Sequence, residues 1–350
     1  MRKLLKYNII IPIIILNIIS LIYLYSTAYF TKQLLFIIIG LTLLIITSLI
    51  PQKKYKKYLP FIYILCNILL ILVLIFGKEI NGSKAWLHIF NFSIQPSELT
   101  KLILSIYAPY LVMKNKKIPL IILTIIPTIL TYLEPDTGAI IFYLIILITS
   151  LYYCKKNKII TLLIVLLSII FISSNVYLYF HNHETLINIY GTKLFYRIDR
   201  LVSFKNQNNI QNINSIISIG SHHLLYIPEN HNDFIYAAIL SSYPYISFFF
   251  ITISYLHILL YLISNLTNKK NISNIYTNIV LNMLLFQIFY NILMNLSLLP
   301  IIGIPLPFLS YGGSYLITLY MEIGILINNK KVLDNKVHNK DYKQDLHKQV

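Results

Sequence analysis

The sequence predicts an all-α polytopic membrane protein with about ten transmembrane helices and an outward-facing polar cavity. Of its 350 residues, 57% are hydrophobic and only 12% are charged, whereas soluble globular proteins carry about 25% charged residues. Most of the chain lies in runs without any charged residue, each near or above the roughly 18–20 residues that cross a bilayer as a helix. These runs cover residues 7–31, 33–52, 58–77, 137–154, 159–183, 234–268 and 271–321.

The distribution of basic residues predicts how the chain is oriented. The net charge is +17, and 21 of the 29 Lys and Arg residues lie in alternate loops and at the two ends of the chain. Cytoplasmic loops of membrane proteins are rich in Lys and Arg, so these segments and both termini are expected in the cytoplasm. Basic residues placed in this way indicate contact with a membrane surface and not with nucleic acid.

With this orientation the sequence divides into ten spans, whose ends are defined to within a few residues. We place them at residues 8–25, 33–50, 59–77, 99–113, 118–133, 139–153, 159–180, 234–262, 275–299 and 313–328. The first is interpreted as a retained helix and not as a cleaved signal peptide. Residues 1–328 then form one membrane domain with outer loops at 78–98, 181–233 and 300–312, and residues 329–350 form a basic cytoplasmic tail.

The acidic residues predict that any chemistry faces outward. All eight acids between Glu79 and Asp233 fall outside the membrane or at its outer edge in this topology. The sequence LEPDTG, residues 133–138, separates two spans that are short for a hydrocarbon core of about 30 Å. A helix break at membrane depth is tolerated where it is buried in protein or lines a wet cavity. We therefore expect a polar cavity that opens to the outside.

The first outer loop contains three candidate site residues, Trp86, Glu98 and Lys101. Trp86 is the single tryptophan, and taken alone it is most often an anchor at the membrane interface. Glu98 follows Pro96 at a predicted helix start, where an acid favours the positive end of the helix dipole. Glu98 and Lys101 lie three residues apart on one helical face, so a structural ion pair is the alternative to a role in a site.

The second outer loop contains Arg197 and Arg200, three residues apart in LFYRIDRLVSF. On one face of a short helix, two guanidinium groups form a fork that suits phosphate oxygens. Contact with lipid headgroups, or pairing with Asp199 or Glu184, is an equally good interpretation of this spacing.

Two further motifs border the last apolar runs. PLPFLSYGG, residues 305–313, interrupts an apolar run with prolines and glycines, which suits either a close backbone approach or a simple tight turn between spans. PENHNDFIYA, residues 228–237, places Glu229 and Asp233 directly before an apolar run. From position alone, Asp233 is interpreted first as a helix cap.

Together these segments resemble the SEDS family of membrane glycosyltransferases, which includes RodA, FtsW and SpoVE. NGSKAWLHIFNFSIQPSELTKL, EPDTGAIIF, YRIDRLVSF, PENHNDFIYA and GIPLPFLSYGGSYL occur in the family's order and span essentially the whole membrane domain. The short chain and the lack of an N-terminal extension make it most similar to RodA members, which implies a role in cell elongation and rod shape.

The resemblance implies polymerisation of lipid II, the undecaprenyl-diphosphate-linked disaccharide-peptide, at the outer face of the bacterial inner membrane. It implies Asp233 as the catalytic residue, functional roles for Trp86 and Glu98, and a class B penicillin-binding protein as transpeptidase partner. In this chemistry a carboxylate takes the proton of the attacking sugar hydroxyl. Glu229 precedes Asp233 by one helical turn if the helix has begun there, and it is then expected to raise the pKa of Asp233 or to share a metal with it.

The chemistry of the implied reaction suggests which groups contact the substrate. Arg197, Arg200 and Lys101 are expected to stabilise the leaving diphosphate, and Ser310 and Gly312 of the last loop are expected to line the site. No cofactor is required with certainty. A divalent cation such as Mg²⁺ or Mn²⁺ is the alternative source of positive charge.

Two other functions remain open from the sequence. A ten-span chain with acids near the membrane would also suit a transporter (flippase) of lipid-linked precursors. A non-catalytic scaffold for the transpeptidase is the third candidate. Family members follow the catalytic motif with an acidic pair and a glycine, whereas this chain reads ILSSYPYI at residues 239–246.

Overall fold

The computed structural model describes residues 9–50, 52–80, 83–89, 92–134, 136–154, 210–267 and 270–328, together with residues 177, 181 and 184. The described helices are α1 Ile10–Leu24, α2 Phe30–Leu49, α3 Gln52–Phe76, α4 Pro96–Met113, α5 Lys117–Leu133 and α6 Thr137–Tyr152. They continue with α7 Ile210–Ser221, α8 Ile235–Ser242, α9 Pro244–Asn265, α10 Ile272–Asn295 and α11 Gly313–Asn328. The predicted span 159–180 and the pair Arg197 and Arg200 lie outside the described residues.

The helices have the character of membrane spans. Among the described residues, four segments are long and apolar enough to cross a bilayer: α2, Lys56–Phe76 within α3, α9 and α10. Four shorter helices, α1, α5, α6 and α11, are also apolar. Large apolar side chains such as Ile38, Phe61 and Phe249 are more than half exposed on the outer faces. A lipid environment covers such faces, so the chain is a membrane protein.

Helix α4 forms the centre of the bundle. Fifteen of its 18 residues are buried, and it packs against α3, α5, α6 and α10. Pro96 occupies the first turn, where its missing N–H has no helical partner to lose. The side chains of Glu98 and Lys101 point into this central packing, which places two charged groups in the core of the bundle.

The predicted span 234–262 is wrong in its bounds, because two helices occupy that stretch. Tyr243 interrupts the helix with φ −140° and ψ 69°, and α9 begins at Pro244. The proline ring disfavours helical geometry in the residue before it and removes a backbone donor. All residues of α8 except Ser242 are buried, so α8 lies inside the protein and only α9 presents a face to lipid.

The loop between α3 and α4 contains a small sheet that the sequence pattern did not predict. Strands β1 Lys78–Ile80, β2 Ser83–Ile89 and β3 Phe92–Ile94 pair antiparallel in that order. Trp86 stands opposite Lys78, and Leu87 stands opposite Ile94. Strand β3 ends at Ile94 and α4 begins at Pro96, so the sheet is connected directly to the start of the central helix.

Candidate active site

Asp233 lies in a turn, residues 228–234, and not in a helix. Helix α8 begins at Ile235, and its N-cap is Phe234, which makes no side-chain cap hydrogen bond. Glu229 adopts the left-handed conformation with φ 59°, and its carbonyl accepts from the amides of Asn232 and Phe234. The interpretation of Asp233 as a helix cap is therefore wrong, and so is the expectation that Glu229 precedes it by one helical turn.

The final loop, residues 300–312, holds this turn in place by hydrogen bonds to the main-chain carbonyls of the turn. The amide of Tyr311 donates to the carbonyl of His231 at 2.9 Å, and the hydroxyl of Ser310 donates to the carbonyl of Asn232 at 2.7 Å. The same Ser310 oxygen accepts from the amide of Leu306 at 2.7 Å. Ser310 is fully buried with its hydroxyl engaged by main-chain groups, and its predicted contact with substrate stays a prediction. The loop is more than a simple tight turn, because it holds residues 231 and 232 in place.

Two asparagines of α10 hold the next carbonyl of the turn. The main-chain oxygen of Asp233 accepts from Nδ2 of Asn291 at 2.9 Å and from Nδ2 of Asn295 at 3.0 Å. Asn291 also donates to the carbonyl of Ile304 at 2.8 Å, and Oδ1 of Asn295 accepts from the amide of Ala237 at 3.0 Å. Three successive carbonyls, those of residues 231, 232 and 233, are thus anchored.

The carboxylate of Asp233 is left available. Within the described part of the chain, the hydrogen bonds of Asp233 reach its main chain and not its side chain. Burial is the larger cause and the negative charge of Glu229 the smaller one, and together they raise the pKa of Asp233 to about 7. The expectation that Glu229 raises this pKa therefore agrees with the structure. A carboxylic acid with a pKa near neutrality is suited to accept a proton during catalysis.

The imidazole ring of His231, within the turn, packs against two tyrosine rings. The ring of His231 stacks on Tyr29 with 4.0 Å between centroids and lies edge-on to Tyr311 at 5.7 Å. Its Nε2 stands 3.7 Å from Oε2 of Glu229. Burial lowers the pKa of His231, and the charge of Glu229 opposes that shift. His231 was not singled out in the sequence, although it lies two residues before Asp233.

Gly303 lies beside the carboxylate of Asp233, and Gly138 lies next to Gly303. Gly303 has φ +74°, and a Cβ placed on it would lie 3.5 Å from Oδ2 of Asp233. A Cβ placed on Gly138 would lie 3.5 Å from the carbonyl of Gly303. The LEPDTG break, which contains Gly138, is therefore a neighbour of the loop that touches Asp233.

The break itself is organised by Asp136. Its Oδ2 accepts from Nε2 of Gln95 and from the hydroxyl of Ser97, both at 2.8 Å. Its Oδ1 caps α6 by accepting from the amide of Ala139 at 3.2 Å. One carboxylate thus joins the start of α4 to the start of α6.

Glu134, on the other side of the break, is buried, and its carboxyl has no hydrogen-bond partner among the described residues. The residue is 0% exposed, and neither Oε1 nor Oε2 accepts a hydrogen bond from the described residues. Its main-chain carbonyl accepts from the amide of Lys84 in β2 at 3.2 Å. Burial, and next the charge of Asp136, raise the pKa of Glu134 to about 9.

Glu98 and Lys101 form a buried ion pair, as their spacing predicted. Nζ of Lys101 lies 2.6 Å from Oε2 of Glu98, and Lys101 and Glu98 are 4% and 8% exposed, respectively. The ammonium group also faces the rings of Phe142 and Tyr315 at 4.7 and 5.4 Å. The two side chains are engaged with each other, and their predicted contact with substrate stays a prediction.

The structure also describes two further predicted site residues, Trp86 and Gly312. Trp86 is partly buried in β2, and Gly312 lies directly before α11, where its carbonyl accepts from the amide of Leu316 at 3.2 Å. Among the described residues, no group of three or more His, Cys, Asp or Glu side chains is arranged to hold a metal ion. The divalent cation stays a prediction, because Mg²⁺ is commonly bound by one or two carboxylates together with substrate phosphates, and no step is derived through a metal.

Comparisons with known proteins agree with this fold and these motifs. The family model FTSW_RODA_SPOVE, described as "Cell cycle protein", matches residues 2–334. The probable peptidoglycan glycosyltransferase FtsW of Buchnera aphidicola subsp. Baizongia pistaciae is 32% identical over 91% of this chain and 88% of that protein. Peptidoglycan glycosyltransferase MrdB of Escherichia coli is 24% identical over 86% of each chain.

Solved structures share the fold. A peptidoglycan synthase complex that coordinates polymerisation and crosslinking contains a chain that aligns with a TM-score of 0.75 and 20% identity, over 91% of this chain and 96% of that one. The rod shape determining protein RodA of Thermus thermophilus aligns with a TM-score of 0.65 and 20% identity, over 92% of this chain and 95% of that one. The match of the family model over almost the whole length shows that this chain belongs to the FtsW, RodA and SpoVE family, the SEDS proteins.

Proposed function

We propose that this protein is a peptidoglycan glycosyltransferase that polymerises lipid II into glycan strands at the outer face of the bacterial inner membrane. The observation that carries the proposal is the placement of Asp233. The main-chain carbonyls of residues 231–233 are held by α10 and the final loop, whereas no hydrogen bond from the described residues reaches the carboxylate of Asp233, and burial raises its pKa to about 7. The relatives named as peptidoglycan glycosyltransferases support the same activity.

Asp233 would act as the general base. A hydroxyl of the acceptor sugar attacks the anomeric carbon of the donor, and the carboxylate of Asp233 takes the hydroxyl proton as the new bond forms. The bond from the anomeric carbon to the lipid diphosphate breaks with inversion, and the diphosphate leaves as an anion. Positive groups at that position lower the barrier. Arg197 and Arg200 remain our candidates for this role.

The partner and the location are part of the proposal. A similar solved chain works in a complex that coordinates polymerisation and crosslinking, and we infer a class B penicillin-binding protein as the transpeptidase partner here. The lysine distribution supports cytoplasmic termini. A reporter fused after Asn268 should therefore read cytoplasmic and one after Asn208 should read external, and the opposite result at either position would overturn this topology.

We propose that the biological process is elongation, division or sporulation. The relatives named FtsW are 32% and 31% identical, and the one named MrdB is 24% identical. These values do not favour the elongation role that the chain length suggested. Depletion of the protein in the bacterium that produces it distinguishes elongation from division, because loss of elongation gives round cells and loss of division gives filaments.

The deciding experiment is polymerisation of purified lipid II by the purified protein, with its transpeptidase partner supplied. Wild type should form glycan strands, and the Asp233→Asn variant should bind lipid II without forming them. A wild type that binds the partner but never polymerises would favour the scaffold, to which the sequence ILSSYPYI after the motif lends support. Movement of lipid II across vesicles without polymerisation would favour the transporter.

A further inference from the structure

Two asparagines on α10 converge on the residue that we assign as the base. Asn291 and Asn295 are four residues apart, so their side chains lie on one face of the helix. Both are 0% exposed, and each donates an amide hydrogen to the main-chain oxygen of Asp233. Buried amides inside a membrane bundle are costly unless they are paired, which indicates a specific task for these two.

Both amide hydrogens of Asn291 join separate segments. One goes to the carbonyl of Asp233 at 2.9 Å and the other to the carbonyl of Ile304 at 2.8 Å. Ile304 follows Gly303, the residue that stands beside the carboxylate of Asp233. Asn291 therefore holds together the turn that carries the carboxylate and the loop that forms the wall next to it.

Asn295 supports this arrangement from the next turn of the helix. Its Nδ2 also donates to the main-chain oxygen and to Oδ1 of Asn291, at 2.9 and 3.1 Å. Its Oδ1 accepts from the amide of Ala237 in the first turn of α8. The side chain of Asn291 is thus oriented by its neighbour, and the network binds the segments on both sides of Asp233.

We propose that Asn291 is a positioning residue for Asp233, supported by Asn295, and that the pair sets where the carboxylate stands relative to Gly303. The proposal rests on the proposed function of Asp233 as the base. Since the described residues make no hydrogen bond to that carboxylate, its position depends on its main chain. Reacting groups displaced by about 1 Å can lose on the order of 100-fold in rate.

A purely structural role for the asparagines predicts something different. Polar contacts between membrane helices can stabilise the bundle by roughly 1 kcal/mol without reference to any site. In that case their removal lowers thermal stability and leaves the behaviour of Asp233 unchanged. Asn282 provides a matched control, because it lies on the same helix and donates to the hydroxyl of Thr149 at 3.0 Å.

The titration of Asp233 distinguishes the two roles. The titratable groups that the described elements bring to the turn are Glu229 and His231 within it, Tyr29 ahead of α2 and Tyr311 in the final loop. None of these is altered by replacing Asn291. A carboxylate released from its buried position becomes better hydrated, so its titration should move to lower pH.

The experiment compares Asn291→Leu, Asn291→Ser and Asn282→Leu in the full-length protein. Carbodiimide labelling of Asp233, followed by mass spectrometry between pH 5 and 9, reports its protonation without any need for activity. Polymerisation of lipid II gives kcat, KM and the pH profile, with Asp233→Asn as the inactive reference. The serine variant is included because its side chain is smaller and is tolerated better if leucine disturbs folding.

Both Asn291 variants should lower kcat by roughly tenfold or more with KM within about twofold of wild type, since the base and not the binding site is displaced. The labelling midpoint should move to lower pH in both and stay in place in Asn282→Leu. Wild-type midpoint and kcat in folded Asn291 variants would overturn the positioning role. If the wild type fails to polymerise, the proposed function falls, and the labelling result still decides whether Asn291 positions Asp233.

Discussion

Gly303 stands beside Asp233 with room for one atom between them: a Cβ placed on Gly303 would lie 3.5 Å from Oδ2 of the carboxylate. The φ of Gly303 is +74°, a conformation that side chains with a Cβ adopt at a cost of roughly 1–2 kcal/mol. Glycine therefore serves two purposes here. It permits the turn of the loop, and it leaves free the position beside the carboxylate that a Cβ would fill.

Replacement of Gly303 by alanine should reduce activity more than it reduces folding. The added methyl would contact the carboxylate and exclude water from it, which raises its pKa further and leaves less of the base ionised at pH 7. Gly220→Ala is the control, because a Cβ there meets nothing within 4 Å. Equal polymerisation rates for Gly303→Ala and wild type, measured on purified lipid II, would contradict this role of the glycine.

The pH dependence of the reaction should report Asp233 directly. With a pKa of about 7, the base is increasingly protonated below neutrality, so kcat/KM should fall about tenfold per pH unit there. Glu229 contributes a negative charge that raises this pKa. Glu229→Gln should therefore move the acidic limb of the profile to lower pH.

The control for that shift is Glu184→Gln, which removes an exposed carboxylate elsewhere in the chain. It should leave the limb where it is in wild type. A limb that does not respond to Glu229→Gln, or that persists in Asp233→Asn at reduced rate, would assign the observed titration to a different group.

The sequence predicted most of the described helices because charge-free runs directly reflect the bilayer, but α7 lies in a stretch predicted as a loop. The bounds at residues 234–262 failed, since hydrophobicity cannot separate a buried helix from a lipid-facing one. Pro244 was the available signal, because a proline ring disfavours helix in the preceding residue. The sheet between α3 and α4 was missed for a related reason. Its strands are three to seven residues long, too short for a clear alternating pattern.

The candidate site was predicted as a set of motifs and not as a geometry. Asp233 and Glu229 were selected correctly as electrostatic neighbours, and the Glu98–Lys101 pair follows from helical spacing. Asn291 and Asn295 were missed, although polar residues four apart in an apolar helix are a recognisable signal. Their partner is a main-chain carbonyl 58 residues or more away in sequence, and such a partner leaves no trace in local sequence.

The buried pair of α4 should behave as a unit in stability measurements. Lys101→Met leaves the carboxylate of Glu98 buried without its cation, and a loss of one partner typically costs about 3–5 kcal/mol. Combining it with Glu98→Gln should recover much of that loss, since no uncompensated charge remains. Thermal unfolding of the purified variants measures this coupling. Equal and additive losses from the two single changes would show that the pair is not coupled.

Glu134 should make the stability of the protein depend on pH. Its pKa is raised from 4.5 to about 9 because it is buried and lies near Asp136. The folded state therefore favours the protonated acid, and this contribution to stability is fully present below pH 4.5 and is lost as the pH rises through 9. Glu134→Gln stays neutral at every pH, so its unfolding temperature should exceed that of wild type by a margin that grows as the pH rises from about 5 to 9. Glu184→Gln should follow the wild-type curve, because that side chain is exposed. Parallel curves of unfolding temperature against pH for Glu134→Gln and wild type, from pH 5 to 9, would contradict this prediction. They would show that Glu134 is paired or hydrated and is not buried as an uncharged acid.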